Sequence, residues 1–186
     1  LKLITGDPIL CVLIAAALTW AAHSSVATVL LIMSLAFSQF ITPAAALALV
    51  LGANLGSAIN PVLEGGRRGD PSSYRLPVGN LLNRLAGVIV ALPFLQYIAD
   101  TWQHVEPNMA RATAEFHIGF NVALAVIFLP LLGPFAWVLA RLLPDCKTAA
   151  DPSAPRYLDE SSLDTPSLAL ANAARETLHM GDAVET

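Results

Sequence analysis

The sequence predicts an all-α, polytopic membrane protein that contains interrupted or re-entrant helices. Of its 186 residues, 55% are hydrophobic and 13% are charged, and the mean hydropathy is +0.62. An ordinary soluble domain carries about 25% charged residues, so this composition indicates a membrane protein. The net charge of −4 argues against a nucleic-acid-binding surface, and the apolar content argues against a disordered chain.

Three short apolar runs occupy the first 63 residues, at positions 8–22, 26–37 and 43–51. Each is shorter than the ~20 residues that a spanning helix needs. Two of them begin with an N-cap residue followed by proline, at Asp7-Pro8 and Thr42-Pro43. The remaining run is preceded by two serines. We therefore predict separate short helices, and the alternative is one long helix that merges the first two runs around a polar middle.

Two longer apolar stretches, at 76–98 and 116–143, are each long enough to cross the bilayer. The loop after residue 63 carries Arg67, Arg68 and Arg75, whereas the loop between the two stretches carries one arginine and three acids. Because positively charged loops stay in the cytoplasm, the first loop is predicted inside and the second outside. The segment after residue 143 is then cytoplasmic, which places the C-terminus on the inner side of the plasma (inner) membrane.

The composition changes after residue 143 to a linker rich in proline, aspartate and serine. Thr165-Pro166 then begins an amphipathic pattern with apolar residues at 168, 171, 174 and 178, which ends near Gly181. This helix is too short to bury a core alone, so we interpret it as the first helix of a truncated domain. The predicted parts are a membrane domain over 1–143, a cytoplasmic linker over 144–165 and a helical domain that starts at 166 and runs to 186.

Two polar clusters lie where the short apolar runs end. The first contains Thr19, His23, Ser24, Ser25 and Thr28, and the second runs from Gly52 through Asn54 and Ser57 to Asn60. Polar side chains at membrane depth are costly unless they face protein, water or ligand, so both clusters are candidate sites. Broken helices offer free N–H groups to an anion and free carbonyl groups to a cation.

Gly52 and Gly56 allow either a break in the helix or the close approach of another helix. From the residues alone we favour the second, a G-x-x-x-G packing contact. Asn54 and Ser57 supply neutral oxygens of the kind that a hard ion such as Na⁺ prefers.

Some polar residues also lie inside the two long stretches. Arg84 is about one third of the way along the first stretch, and we expect its side chain to extend to the cytoplasmic edge, with an acidic partner in the bundle as the alternative. His117 is expected to serve packing, with contact to a ligand as the alternative, and Asn83 and Asn121 are expected to serve packing rather than a second site.

The order of these motifs resembles the type II sodium/phosphate cotransporter family. Thr-x-x-x-His-Ser-Ser-x-Ala-Thr at 19–28 is followed by Gly-Ala-Asn-x-Gly at 52–56 and His-x-x-Phe-Asn at 117–121. In that family, two inverted copies of a re-entrant unit with a Gln-Ser-Ser-Ser motif together enclose phosphate and sodium. This chain resembles the second copy, so its expected partner is the first repeat of the same full-length chain. The tail resembles the start of a PhoU-like cytoplasmic domain.

The resemblance implies a specific set of site residues. Phosphate would be bound by His23, Ser24 and Ser25, and sodium by Thr19, Ser25, Thr28, Asn54 and Ser57. The chain departs from the family pattern in that His23 replaces the glutamine, Val26 replaces the third serine, and Ser57-Ala58 replaces two threonines. These departures leave open the number of coupled sodium ions and a change to another small anion.

The function implied by the resemblance is sodium-dependent symport of inorganic phosphate across the plasma membrane by alternating access. Na⁺ is the expected coupling ion, and no other cofactor, transition metal or nucleic-acid partner is expected. An enzyme is not expected, because His23 and Ser24 are adjacent on the chain and such side chains point in different directions on a helix. The alternative is a regulatory or scaffold membrane protein that acts through its PhoU-like tail.

Overall fold

A computed structural model of the protein describes residues 6–65, 70–145, 155–158, 162–163 and 165–185. All regular secondary structure in these ranges is helical. In chain order the α-helices described there are α1 (Pro8–Ala22), α2 (Ser25–Phe37), α3 (Pro43–Glu64), α4 (Arg75–Ala91), α5 (Leu95–Val105), α6 (Met109–Phe128), α7 (Leu132–Leu142) and α8 (Pro166–Glu185). Two 3₁₀ turns, Pro71–Tyr74 and Leu92–Phe94, precede α4 and α5.

The described helices confirm the predicted fold class, an all-α polytopic membrane protein. Two stretches are long and apolar enough to cross a bilayer, Pro43–Glu64 and Pro71–Val105. The second of these contains both 3₁₀ turns together with α4 and α5. Helices α6 and α7 would make a third span only as a pair, because they are bent by 81° at a short break. Helices α1 and α2 are shorter apolar helices.

Local capping explains where the first three helices begin. The Asp7 carboxylate accepts the N–H groups of residues 9 and 10, the Ser24 hydroxyl accepts that of residue 27, and the Thr42 hydroxyl accepts that of residue 45, at 2.9–3.3 Å. Between α1 and α2, His23 has a left-handed backbone conformation, with φ of 51°. The prediction of separate α1 and α2 helices is therefore confirmed, and the merged helix is excluded.

Helix α3 continues through Gly52, Gly56 and Pro61, so the short apolar run predicted over 43–51 belongs to a longer helix, and the helix break that was weighed against packing at the two glycines is excluded. An unpaired backbone group in an apolar environment costs several kcal/mol, so a helix in a membrane keeps its hydrogen bonds unless other groups replace them. Pro61 lies in the last turn, where it removes only one such bond.

The two glycines bring α1 and α3 into backbone contact. A Cβ atom at Gly52 would lie 2.2 Å from the carbonyl oxygen of Val12, and one at Gly56 would lie 2.3 Å from that of Ala16. Only glycine allows this approach, as in the small-residue contacts of membrane helices. Gly52 and Gly56 are therefore packing residues rather than a helix break.

The predicted single helix over 116–143 is wrong. Helix α6 ends at Phe128 and α7 begins at Leu132, because Pro130 lacks an N–H group and its ring clashes with the carbonyl of the preceding turn. The outer loop predicted over 98–116 is much shorter, since α5 continues to Val105 and α6 already begins at Met109. Both helices extend beyond the apolar stretches from which they were predicted, because the additional turns contain polar as well as apolar residues.

Helix α3 lies at the centre of the membrane bundle and packs against α1, α2, α4, α5 and α6. Four of its residues are at most 2% exposed to solvent: Leu47, Val50, Leu51 and Asn54. A buried asparagine beside three aliphatic residues must find hydrogen-bond partners inside the bundle.

The chain divides into two compact units, residues 1–146 and 147–186. In the second unit, the Glu176 carboxylate on α8 accepts the N–H groups of Arg156 and Tyr157 at 2.8 and 2.6 Å. Helix α8 continues to Glu185, so the predicted end near Gly181 is wrong. Most of the predicted linker, and the loop arginines 67 and 68, lie outside the described residues. The PhoU-like nature of the second unit stays a prediction.

Candidate functional site

The junction between α1 and α2 presents the N-terminus of α2. Ser24 is its N-cap, with its hydroxyl oxygen 3.2 Å from the N–H group of Ala27, and Ser25 is its first residue. Both serines are half-buried. The first N–H groups of a helix have no partner within the helix, and the positive end of the helix dipole lies there. The junction is therefore able to receive an anion.

Two threonines predicted to bind sodium are brought together beside this junction. The Thr19 hydroxyl donates to the Thr28 hydroxyl at 2.9 Å, and the Thr28 hydroxyl donates to the carbonyl of Ser24 at 3.3 Å. Both threonines are almost completely buried. Because each hydroxyl proton already has an acceptor, lone pairs of the oxygens remain for a cation.

The second polar cluster lies against the first through the contact of α1 with α3. A Cβ atom at Gly56 would lie 2.8 Å from that of Thr19. The next residue, Ser57, donates its hydroxyl to the carbonyl of Asn54 at 2.8 Å. Since α3 is continuous, the backbone carbonyls of this cluster are not freed by unwinding, and its oxygens for a cation come from the side chains.

The His23 side chain contacts the C-terminal end of α3. Its Nδ1 atom lies 2.9 Å from the side-chain nitrogen of Asn60 and 3.8 Å from a carboxylate oxygen of Glu64. With Asn60 as donor, Nδ1 is the acceptor and the ring proton lies on Nε2. The side chain is 61% exposed, so it borders the junction without being enclosed by it.

The strongest polar cluster of the membrane unit centres on Arg84, which sequence reasoning assigned to the cytoplasmic edge. Its Nη1 donates to the side-chain oxygen of Asn54 at 2.8 Å, to the Asn54 carbonyl at 3.3 Å and to the side-chain oxygen of Asn121 at 3.4 Å. Its Nε donates to the side-chain oxygen of Asn80 at 3.2 Å. The Arg84 side chain was expected to extend to the cytoplasmic edge or, alternatively, to pair with an acid. Both expectations are wrong, because its described partners are amide oxygens inside the bundle.

Asn121 is likewise more than a packing residue. Its side-chain nitrogen donates to the side-chain oxygen of Asn54 at 2.9 Å and to the carbonyl of His117 at 2.7 Å. Helices α3, α4 and α6 are thus joined at one point. A charged residue inside a long apolar stretch was the available signal for Arg84, whereas the part played by Asn121 depends on helix packing.

Within the described ranges, no group of three or more His, Cys, Asp or Glu side chains is placed to hold a metal ion. The oxygens that remain for a cation belong instead to the hydroxyl groups of Thr19, Thr28 and Ser57, because the side-chain oxygen of Asn54 already accepts hydrogen bonds from Arg84 and Asn121. Neutral oxygens of this kind are ligands for hard cations.

Comparison with known proteins identifies the family. Residues 1–129 match the sequence model described as Na⁺/Pi-cotransporter. The chain is 38% identical over 182 residues to the "Putative inorganic phosphate export protein YjbB" of Escherichia coli (strain K12), and 36% identical over 182 residues to the protein of that name from Salmonella typhimurium (strain LT2). Both alignments cover 98% of this chain and 33% of the relative.

A more distant relative is the "Uncharacterized protein YqeW" of Bacillus subtilis (strain 168), which is 33% identical over 135 residues, or 71% of this chain and 43% of the relative. The chain spans about a third of the length of the enterobacterial relatives. No solved structure matches it. The family-model match covers more than half of the chain, and the chain belongs to the Na⁺/Pi-cotransporter family.

Proposed function

We propose that this chain forms one half of a sodium-coupled transporter of inorganic phosphate. Its family membership supports phosphate and Na⁺ as the transported ions. The observation that carries the proposal is the junction of α1 and α2, where a free helix N-terminus lies beside a pair of buried hydroxyl groups. Interrupted helices of this kind are where transporters commonly hold an anion and its coupling cation.

Phosphate is held in this proposal by the N-terminus of α2. Ser25 contributes its hydroxyl, Ser24 closes the helix end, and His23 borders the same opening. Backbone N–H groups at the start of a helix and the helix dipole both favour an anion. The first repeat of the same full-length chain would complete the site from the other side.

Sodium is held by side-chain oxygens between α1, α2 and α3. Thr19, Thr28 and Ser57 provide hydroxyl oxygens, and Ser25 is shared with phosphate; the amide oxygen of Asn54, which the sequence also suggested, accepts from Arg84 and Asn121 instead. A single cation between these residues and a bound phosphate lowers the energy of both charges, which is the basis of coupling. Alternating access of the two halves then carries the ions together across the plasma membrane, with the second unit in the cytoplasm.

The direction of transport depends on the gradients. An inward sodium gradient drives phosphate inward in a symporter, which is the direction that we propose. Export is the second candidate, because the name of the enterobacterial relatives includes phosphate export. The two directions share the same site and differ in which ion gradient is larger.

The test measures radioactive phosphate in proteoliposomes that contain the full-length protein. Uptake should require Na⁺ outside and should be driven by an inward sodium gradient at equal phosphate on both sides. Sodium-independent phosphate flux would contradict coupling. Net efflux that persists against an inward sodium gradient would favour export.

Serine variants locate the site. Ser24→Ala also removes a helix cap, which costs about 1 kcal/mol, so Ser24→Asn is the better variant because asparagine retains a capping oxygen. Ser25→Ala leaves the cap intact. Hydrogen bonds to a charged group contribute roughly 1.5–3 kcal/mol, so Ser25→Ala should weaken phosphate affinity about 10- to 100-fold. Unchanged affinity in Ser25→Ala and in Ser24→Asn would place the phosphate elsewhere.

A further inference from the structure

Arg84 places a positive charge inside an apolar stretch of the membrane unit. Arg84 is the fourteenth of the 35 residues in the apolar stretch Pro71–Val105. The side chain is half-buried. A guanidinium group stays protonated in proteins, so a full positive charge is held inside a stretch that is apolar enough to cross a bilayer.

The partners of Arg84 orient the charge without balancing it. Amide oxygens of Asn54, Asn80 and Asn121 accept its hydrogen bonds, and all three are neutral. Among the described residues, no carboxylate lies at ion-pairing distance from this guanidinium. Charged residues inside a membrane normally pair or mark the pathway of an ion.

The hydrogen bonds also leave one edge of the guanidinium available. They use Nε and Nη1, whereas no described residue accepts a hydrogen bond from Nη2. The two N–H groups of Nη2 therefore remain available as donors, and hydrogen bonds to three asparagines fix the plane of the guanidinium group. An oxyanion is the ligand that suits such donors, since arginine binds phosphate-like groups through charged hydrogen bonds.

The Arg84 charge lies next to the residues assigned to ion binding. The Asn54 carbonyl accepts hydrogen bonds from both Ser57, at 2.8 Å, and Arg84, at 3.3 Å. Gly56, on the same turn of α3, packs against Thr19. A positive charge at this place attracts an anion and repels a sodium ion that enters alone.

We propose that Arg84 is the fixed cation that balances the transported anion, with Asn54, Asn80 and Asn121 as the residues that position it. The inference rests on the proposed function of this chain as an anion transporter. An anion bound near Nη2 neutralises Arg84, and this in turn lowers the cost of placing Na⁺ beside it. Phosphate and sodium therefore strengthen each other's binding through this residue.

The experiment measures binding of inorganic phosphate and of Na⁺ separately, by calorimetry on the purified full-length protein in nanodiscs. Removing one member of a buried, hydrogen-bonded charge pair costs about 2–5 kcal/mol, so Arg84→Gln should weaken phosphate binding about 30-fold or more. Arg84→Lys keeps the charge and should lose less than about tenfold. Sodium binding without phosphate should be unchanged or tighter in Arg84→Gln, because a repulsive charge has been removed.

Arg141→Gln is the matched control, since Arg141 is an exposed arginine stacked on Trp137 at a helix end. It should bind both ions as the wild type does. Phosphate binding by Arg84→Gln at wild-type affinity would overturn the proposal. An equal loss of phosphate and sodium binding in Arg84→Gln and Arg84→Lys would also overturn it, because that is the result of a purely structural role.

Sulfate serves as a second probe that separates this inference from the proposed function. A wild-type protein that binds sulfate but not phosphate would refute phosphate transport, and the Arg84 variants would then be judged on sulfate. A wild-type protein that binds neither anion would refute both proposals.

Discussion

The close contact of α1 with α3 predicts that one added methyl group at Gly52 destabilises the membrane unit. A Cβ atom there would lie 2.2 Å from the carbonyl oxygen of Val12 and 2.8 Å from the Cβ of Ala15, whereas real Cβ atoms essentially never approach closer than 3.0 Å. The nearest atom belongs to the backbone and cannot rotate away. Gly52→Ala therefore requires the two helices to separate by about 1 Å along much of their contact.

The size of the effect follows from two opposing terms. Overpacking of a close-packed interior costs about 1–3 kcal/mol, and the rigid carbonyl at Val12 places Gly52→Ala in the upper part of this range. Replacing glycine by alanine inside a helix recovers about 1 kcal/mol. The net destabilisation is therefore about 1–2 kcal/mol.

Gly119→Ala is the matched control, because Gly119 lies inside α6 and a Cβ atom added there would lie 3.5 Å from its nearest neighbour outside the helix, a Trp102 ring carbon, which is ordinary van der Waals contact. It should be stabilised by up to about 1 kcal/mol from helix propensity alone. The two variants should then differ by about 2–3 kcal/mol in the free energy of unfolding.

Thermal unfolding of the purified variants in detergent micelles measures this difference. A domain of this size shifts by about 2–4 °C per kcal/mol, so Gly52→Ala should unfold about 4–12 °C below Gly119→Ala. Gly56→Ala should follow Gly52→Ala, since its Cβ would lie 2.3 Å from another α1 carbonyl. Equal unfolding temperatures for Gly52→Ala and Gly119→Ala would refute the backbone contact and restore the possibility of a helix break.

Other predictions concern the hydroxyl pair, the second unit and the topology. Thr28→Val should cost about 1–3 kcal/mol, because it removes the acceptor of the buried Thr19 hydroxyl, whereas Thr19→Val should cost less, because the Thr28 hydroxyl still donates to the Ser24 carbonyl. The double variant should cost less than the sum of the two in a double-mutant cycle, and additive losses would contradict the hydrogen bond between the threonines. A hydrogen bond from the N–H group of Tyr157 holds the pKa of Glu176 below its usual range, and the N–H group of Arg156 and the side chain of His179 add to this effect. The hydrogen bonds from Arg156 and Tyr157 to the carboxylate should therefore stabilise the second unit at neutral pH and be lost as the pH falls through the lowered pKa. Amide hydrogen exchange should show that loss in the wild type, whereas protection that is independent of pH would contradict it. In a cysteine-free background, an impermeant thiol reagent should label Gln103→Cys but not Ser72→Cys in intact cells, and the reverse pattern would invert the topology.

The features that could be predicted from the sequence are those that depend on interactions between residues close together in the chain. Asp7, Ser24 and Thr42 cap their helices through hydrogen bonds to residues two or three positions away. The membrane class follows from composition, and the motif order across 19–121 was sufficient to identify the family. Such properties depend on side-chain chemistry and chain geometry at short range, so they are readable without a structure.

Tertiary structure alone decided the features that join distant residues. The spacing of Gly52 and Gly56 favoured a packing contact over a helix break, but only the assembled structure shows that α1 is the helix that packs against them. The 81° bend between α6 and α7 begins at a visible proline, but its angle depends on packing. Arg84 meets Asn54 and Asn121 across 30 and 37 residues. Hydrophobic periodicity indicates which face of a helix is buried, but it does not indicate which neighbouring helix packs on that face. The residues that orient the Arg84 guanidinium can therefore be identified only from the assembled helices.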